Sequence, residues 1–126
     1  MKTEISVSDN GVIEEVRYCS YTVNAEITNK ESKTINITVG IIYSEDIYGD
    51  NTDERRILQE YQLNGERYYQ QEYLEEDIWE EISKIYPVEE RDDPLLRDEI
   101  HKQVDKIGEK VREVIEKNQI EMGSCE

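Results

Sequence analysis

The residues best able to do chemistry in this sequence are carboxylates, and they are concentrated in one stretch. Residues 72–93 contain ten Asp and Glu against one Lys and one Arg, so they carry half of the net charge of −16. Within this stretch Glu72, Glu76 and Glu80 recur every four residues, which on an α-helix sets neighbouring side chains about 5–6 Å apart. That distance is comparable with the roughly 6–7 Å between successive phosphates of a nucleic acid strand. The stretch therefore predicts an acidic helical face with nucleic-acid-like charge spacing.

Metal and nucleotide chemistry lack the residues they need. Zinc sites are built from His and Cys, and the chain has one His and two Cys. Clustered carboxylates can hold magnesium or calcium, but the Asp-x-Asp-x-Asp-Gly spacing of a calcium loop is absent. A glycine-rich phosphate loop is absent as well. We therefore expect neither a metal site nor a cofactor.

Nucleophilic catalysis is equally poorly supported by the sequence. It requires a Ser or Cys beside an activating base, and the one histidine, His101, is predicted to be a surface residue of a helix. Cys19 is predicted to point into a sheet, and Cys125 lies in a polar tail. The prediction is a non-enzymatic protein with no catalytic residues.

The overall charge restricts the partners that this chain can bind. A net charge of −16 and a pI near 4.4 exclude direct binding to nucleic acid or to an anionic membrane surface, which both require Lys and Arg. The same charge favours a basic partner protein, although acidity can also serve solubility alone. Two cysteines do not form a disulfide framework, and the sequence has no apolar run of signal-peptide or membrane-spanning length. We expect a cytoplasmic protein.

The first half of the chain alternates between apolar and polar residues, as β-strands do. Residues 17–27 and 34–43 show the longest alternation, and the polar residues 29–33 between them predict an antiparallel hairpin. Ile5 and Val7 predict a shorter edge strand before it, with residues 9–11 (Asp-Asn-Gly) as the hairpin turn. Residues 44–53 are polar and are interpreted as a loop.

The segment from residue 55 to 69 supports two interpretations. A helix capped by Thr52 could end at Gly65. Alternatively, Asn64-Gly65 could form a type I′ turn between two strands, the first of which contains Ile57, Tyr61 and Leu63. The Asn-Gly dipeptide between Tyr-rich flanks favours the hairpin.

Two helices follow in the sequence. Residues 72–86 carry an apolar stripe at helical spacing, ended by a proline that cannot continue a helix; the stripe comprises Leu74, Ile78, Ile82 and Ile85, widened by Trp79 and Tyr86. Asp93 as N-cap and Pro94 at the first helical position predict the start of a second helix that extends to about residue 118. Its seam of apolar residues can pack within the domain or against a second copy of the chain; the seam comprises Ile100, Val104, Ile107, Val111 and Val114. Residues 119–126 are predicted to fray.

This order of elements predicts an α+β fold in one domain spanning residues 1–126. An antiparallel sheet of three to five strands within residues 1–70 should pack against helices at about 72–86 and 94–118, because strands followed by helices form two such layers. A chain of 126 residues can bury one hydrophobic core but not two.

The acidic stretch is the predicted partner-binding surface. Tyrosines next to it can anchor an interface, since Tyr is enriched among the residues that dominate binding energy. The predicted surface comprises Tyr69, Glu72, Tyr73, Glu75, Glu76, Asp77, Glu80 and Glu81. We hypothesise that it occupies a basic, nucleic-acid-binding groove on a partner such as a nuclease. In size, charge and lack of catalytic motifs, the chain resembles the small acidic inhibitors encoded by phages and mobile elements, including anti-CRISPR and anti-restriction proteins; this resemblance implies no individual site residue.

Two other functions fit the same sequence. Arg55, Arg56 and Arg67 could bind an anionic small molecule in a homo-oligomer that sequesters it, because arginine recognises anions through paired hydrogen bonds. An immunity-type protein that covers a basic toxin would use the acidic surface in the same way as the nucleic-acid mimic. A homodimer could also form through the seam of the last helix.

Overall fold

The order of strands and helices is that of an α+β protein. The computed structural model describes residues 2–12, 18–47 and 54–122. Its elements are β1 (Lys2–Val12), β2 (Tyr18–Thr28), β3 (Thr34–Ile47), β4 (Glu54–Leu63), β5 (Glu66–Tyr68), α1 (Gln71–Ser83), a 3-10 turn (Val88–Glu90), α2 (Pro94–Lys117) and β6 (Ile120–Glu121). Strands β1 to β5 are antiparallel in sequence order, and β6 pairs in parallel with β4. The predicted fold class is confirmed.

The predicted hairpin of β2 and β3 is confirmed by its register. Cys19 pairs with Tyr43 and Thr28 with Thr34, so the apolar residues of both strands face the same side. Strand β3 continues to Ile47 because its last residues pair with the first half of β4. The loop predicted for residues 44–53 is therefore wrong for residues 44–47, while the rest of that loop lies outside the described residues.

The hairpin turn predicted at residues 9–11 is wrong. Strand β1 runs through this point to Val12, and its register against β2 shifts between Asp9 and Gly11. Gly11 has a φ of 61°, so the glycine allows a β-bulge where the sequence suggested a turn. The amide of Gly11 also donates to Oδ1 of Asp9 at 2.9 Å.

The second hairpin, β4 and β5, confirms the interpretation favoured for residues 55–69. Asn64 and Gly65 both have positive φ, at 53° and 83°, as a type I′ turn requires. Within β4, Leu58 faces the core and Ile57 does not, because Ile42 pairs with Glu60 whereas Tyr43 pairs with Leu58. The bulge turns Leu58 inward and leaves it 7% exposed. Thr52, the cap of the rejected helix, lies outside the described residues.

Helix α1 ends at Ser83, three residues earlier than predicted. Its last turn tightens into i to i+3 hydrogen bonds, with the amide of Ile85 donating to the carbonyl of Ile82 and that of Tyr86 to Ser83. A proline disfavours the helical conformation of the residue before it, so the chain leaves the helix before Pro87. Ile85 is nevertheless buried, as its place in the stripe predicts.

Helix α2 begins as predicted. Oδ1 of Asp93 accepts a hydrogen bond from the amide of Leu95 at 3.0 Å, and Pro94 is the first helical residue. The five seam residues of α2 are all buried within the chain, at 5% exposure or less. In this conformation the seam is therefore filled internally and does not present a surface to a second chain.

Both helices pack on one face of the sheet. The core joins the inward residues of the central strands to the apolar stripes of α1 and α2. Its fully buried members include Val23, Ile27, Ile37, Val39, Ile41, Tyr61, Leu74, Ile78, Ile82, Ile100 and Ile107. None of the described helices is long and apolar enough to cross a membrane.

The prediction of a frayed tail is wrong for residues 120 and 121, which form strand β6. Gln119 has a φ of 56° and reverses the chain after α2, after which Ile120 pairs with Arg56. Ile120 is 5% exposed and belongs to the core. Residues 123–126 lie outside the described part of the chain.

Candidate functional site

Helix α1 positions all six predicted acidic residues and brings four of them, Glu72, Glu75, Glu76 and Glu80, to one groove, whereas Asp77 and Glu81 lie outside it. Glu72, Glu76 and Glu80 form an exposed row along the helix, which we call the acidic ridge. Across the described residues, none of these three carboxylates makes a hydrogen bond or an ion pair with another side chain or with the backbone. The charge of the ridge therefore has no side-chain or backbone partner in the described part of the chain.

Glu75 lies beside the ridge, on the side of α1 that contacts α2, and lines the same groove as the ridge residues. Its Oε1 accepts a hydrogen bond from Nε2 of Gln71 at 3.1 Å and lies 3.6 Å from the guanidinium of Arg112. Nε2 of Gln71 also donates to the carbonyl of Gly108 at 3.0 Å. Glu75 thus contributes to packing between the helices, although sequence reasoning assigned it to the binding surface.

Asp77 and Glu81 occupy the opposite flank of α1, toward the β4–β5 hairpin. The hydroxyl of Tyr68 donates to Oδ2 of Asp77, and Lys84 Nζ lies 2.7 Å from Oε1 of Glu81. Because Asp77 accepts this hydrogen bond, it raises the pKa of the Tyr68 hydroxyl above its usual range, and burial and Glu66 act in the same direction. Both carboxylates therefore have partners within the chain.

The two tyrosines predicted for the surface are exposed. Tyr69 is 60% exposed and Tyr73 is 56% exposed. Tyr73 precedes Glu76 and Asp77 by about one helical turn, so its ring is a neighbour of the ridge. Exposed aromatic rings next to free carboxylates suit an interface that is partly apolar and partly charged.

A groove between α1 and α2 borders the ridge. It has a volume of about 450 Å³, and the ridge residues form one wall while Arg97, His101 and Asp105 lie on the other. At its base, the guanidinium of Arg97 lies 5.3 Å from the centroid of the Trp79 ring, and the His101 ring lies 5.9 Å from it. Nε1 of Trp79 is buried and has no hydrogen-bond partner among the described residues. Sequence reasoning missed this groove, because nothing in the spacing of Arg97 relates it to Trp79.

A second acidic cleft lies at the N-terminal end of α2. Its volume is about 620 Å³, and its lining combines five carboxylates and two lysines, Lys30 and Lys102, with apolar side chains. The carboxylates are those of Glu31, Glu90, Asp93, Asp98 and Glu99. Burial raises the pKa of Tyr86 in this cleft, and Glu99 and Glu90 raise it further. The acidic surface therefore extends beyond α1, a feature that the run of Asp and Glu at residues 89–99 could have suggested.

Of the residues considered for catalysis, Cys19 on β2 and His101 on α2 do not come together, and Cys125 lies outside the described residues. His101 is exposed on α2 and contacts Trp79, as predicted for a surface helix residue. Cys19 is 4% exposed, and burial raises the pKa of its thiol, so the unreactive protonated form is favoured. Within the described ranges, no group of three or more His, Cys, Asp and Glu is arranged to hold a metal ion.

The arginines of the alternative anion site point to opposite sides of the sheet. Arg56 lies two residues before Leu58 on β4 and therefore faces the same, inward side of the sheet. Its Nε lies 3.3 Å from Oε1 of Glu45, and its guanidinium lies 5.7 Å from the centroid of the Tyr43 ring. Arg67 pairs across the hairpin with Gln62 on the open face and lies 3.4 Å from Glu60. Within one chain these two arginines cannot share a pocket, and nothing is described of the Arg55 side chain.

Comparisons with known proteins leave the site without a precedent. No protein-family model matches the chain, and neither a curated protein nor a solved structure shows significant similarity to it. The geometry of its own residues is therefore the basis for assigning a role to this site.

Proposed function

We propose that this chain is a small, non-enzymatic acidic protein that occupies a basic, nucleic-acid-binding surface of a partner protein. The observation that carries this proposal is the acidic ridge. Its three carboxylates are exposed and without partners among the described residues, whereas the other three acidic residues predicted for the surface all have partners. Free charge at regular spacing is available to an external cation.

Energetics support a binding role for the ridge. Two like-charged pairs at i, i+4, Glu72 with Glu76 and Glu76 with Glu80, each destabilise a helix by roughly 0.2–0.5 kcal/mol. The positive end of the helix dipole offsets this cost only near Glu72, because its effect falls off within the first turn. A destabilising feature that makes no hydrogen bond or ion pair with the rest of the described chain is consistent with selection for an intermolecular contact.

The surroundings of the ridge fit a protein partner. Carboxylates steer a basic surface into contact and compete for the cations that otherwise hold nucleic acid. Tyr69 and Tyr73 add exposed aromatic area, which commonly supplies the anchors of an interface. The guanidinium of Arg97 lies over the Trp79 ring beside the ridge, and basic partners use the same group to bind phosphates.

The proposed biological class is that of an inhibitor. Covering the basic groove of a nuclease would exclude its nucleic acid, which is how an anti-defence protein of a phage or mobile element could act. An immunity-type protein that neutralises a toxin nuclease would use the same contacts. Both roles place the protein in the cytoplasm with its target.

Competition binding tests the proposal directly. A panel of basic nucleases and nucleic-acid-binding proteins is titrated with the chain, in the presence and absence of a DNA duplex, at low and at physiological salt. We expect at least one member to bind, to be displaced by the duplex and to lose affinity as salt rises, because screening weakens exposed charge interactions.

Matched variants locate the interaction. Changing Glu72, Glu76 and Glu80 to Gln removes the ridge charge, whereas the same change at three exposed glutamates elsewhere, Glu89, Glu109 and Glu116, removes equal charge from other surfaces. We expect at least a tenfold loss of affinity, about 1.4 kcal/mol, for the ridge variant and a much smaller loss for the control variant. Equal losses would show that only total charge matters, and retained binding by the ridge variant would overturn the assignment.

A further inference from the structure

The two edges of the sheet differ in how far other strands cover them. The outer edge of β4 is covered at both ends, since Leu63 pairs with β5 and Arg56 pairs with β6. The outer edge of β1 pairs with no other strand in the part of the chain that the structure describes. An eleven-residue strand with unpaired backbone groups is a template for another strand.

Strand β1 also lacks most of the features that prevent an exposed edge from pairing with another strand. It contains no proline, its bulge lies near its end at Asp9–Gly11, and its charged residues are Lys2, Glu4 and Asp9. Its net charge is therefore −1 in a chain whose net charge is −16. Two copies of this acidic protein can approach at β1 with little repulsion between the strands themselves.

Apolar side chains at this edge are incompletely covered. Ile5 pairs with Ala25 and Val7 with Val23, so both face the same side as the helices. Val7 is nevertheless 38% exposed and Ile5 is only partly buried. Burying this remaining apolar surface would favour the addition of a strand alongside β1.

We propose that β1 pairs antiparallel with β1 of a second copy, about a two-fold axis at Ser6, to form a continuous sheet. In this register Ile5 lies opposite Val7 of the second copy, and Val7 lies opposite its Ile5. Glu4 lies opposite Ser8, and Thr3 opposite Asp9, so no two carboxylates face each other directly. The strand is therefore complementary to itself in both apolar contact and charge, as an isologous interface requires.

Neighbouring registers are less complementary. Centring the pair on Val7 would place Ile5 opposite Asp9, an apolar residue against a carboxylate. Centring it on Ile5 would set Val7 opposite Thr3 and shorten the paired segment. The register centred on Ser6 is the one that buries both apolar residues against each other.

This interface is separate from the acidic ridge. The hydroxyl of Thr3 donates to Gln103, so α2 is the helix beside β1. Helix α1 packs over β3, β4 and β5, toward the other edge of the sheet. The ridge stays exposed in the proposed dimer, and the inference does not depend on the proposed function.

Charge substitutions at the two-fold axis test the proposal. Ser6 is exposed and meets its own copy there, so Ser6→Lys or Ser6→Glu places two like charges opposite each other, which destabilises the pair. We expect the wild-type chain to be a dimer by light scattering and native mass measurement, and each variant alone to dimerise at least about tenfold more weakly. Mixing the two variants should restore a heterodimer, because opposite charges then face each other.

The matched control lies on the same open face, away from the edge. Thr38→Lys and Thr38→Glu alter an exposed residue of β3 and should leave the dimer unchanged. Far-UV circular dichroism verifies that every variant is folded. A monomeric wild-type chain at all accessible concentrations, or Ser6 variants that dimerise as well as wild type, would overturn the proposal. Unchanged binding of a basic partner by the Ser6 variants would show that the dimer and the ridge are independent.

Discussion

The carboxylate of Glu75 lies so close to Gly108 that a side chain at position 108 would clash with it. A Cβ added to Gly108 would lie 1.9 Å from Oε1 of Glu75 and 3.3 Å from Nε2 of Gln71. Glycine at this position of α2 therefore leaves space for the carboxylate and amide that join α1 to α2. Its cost in helix stability, up to about 1 kcal/mol relative to alanine, has a packing reason.

A double-mutant cycle measures this relationship. In the wild-type background, Gly108→Ala gains helix propensity but displaces the Glu75 carboxylate, so we expect a change in unfolding free energy of less than about 1 kcal/mol in either direction. In a Glu75→Ala background the displaced group is gone, and Gly108→Ala should stabilise by about 0.5–1 kcal/mol. Urea denaturation of the four proteins gives the coupling. Equal effects of Gly108→Ala in both backgrounds would show that the two residues do not compete for space.

The ridge should destabilise α1 in the absence of a partner. Glu76→Gln removes both repulsive pairs of the ridge, so we expect a gain of roughly 0.4–1 kcal/mol in unfolding free energy at low salt. The gain should shrink as salt is added, because exposed charges are screened. Glu109→Gln is the control, since Glu109 is exposed on α2 among neighbours of both signs. A similar gain at Glu109 would attribute the effect to net charge alone.

Tyr68 makes the stability of the protein sensitive to alkaline pH. The pKa of its hydroxyl is raised in the folded state, mainly by the Asp77 carboxylate. Above about pH 10 the unfolded chain loses this proton while the folded chain retains it, so stability falls as pH rises through that range. Tyr68→Phe should cost about 1 kcal/mol at neutral pH and should flatten the decline above pH 10. Tyr69→Phe, on the neighbouring exposed ring, should change neither quantity; chemical denaturation across pH 8 to 11 gives both.

The N-cap of α2 makes a local contribution to stability. Asp93→Ala removes the acceptor of the Leu95 amide and should lower the unfolding free energy by about 1 kcal/mol. Asp93→Ser supplies another capping oxygen and should restore most of the loss. Asp92→Ala changes the neighbouring exposed carboxylate and is expected to have little effect in the same thermal or urea denaturation. A loss at Asp92 equal to that at Asp93 would contradict the capping role.

Strand β6 should contribute measurably to the core. Ile120→Ala removes a side chain that is 5% exposed, and we expect it to cost about 2–4 kcal/mol in unfolding free energy. Met122→Ala, two residues later, changes a side chain that is 60% exposed and should be nearly neutral. Denaturant unfolding distinguishes the two, and a neutral Ile120→Ala would show that the tail frays in solution.

Local patterns in the sequence predicted most of the fold. Apolar residues at every second position identified β2 and β3, and the Asn64-Gly65 dipeptide identified the later hairpin, because each signal is contained within a few neighbouring residues. The cap formed by Asp93 and Pro94 is equally local. Bulges were missed, since an extra residue such as Gln59 is defined only by the strand opposite it.

The sequence by itself determined that α1 is acidic, that it has one apolar stripe and that the chain has few residues suited to catalysis. Only the tertiary structure decided which carboxylates are free. Glu81 pairs with Lys84, three residues later in the chain. Residues distant in sequence engage two other candidates: Tyr68 binds Asp77, and Arg112 and Gly108 lie against Glu75. Helical spacing cannot predict such contacts, because they depend on how α1 is placed against α2 and β5. The predicted surface of six carboxylates therefore reduces to the ridge of Glu72, Glu76 and Glu80.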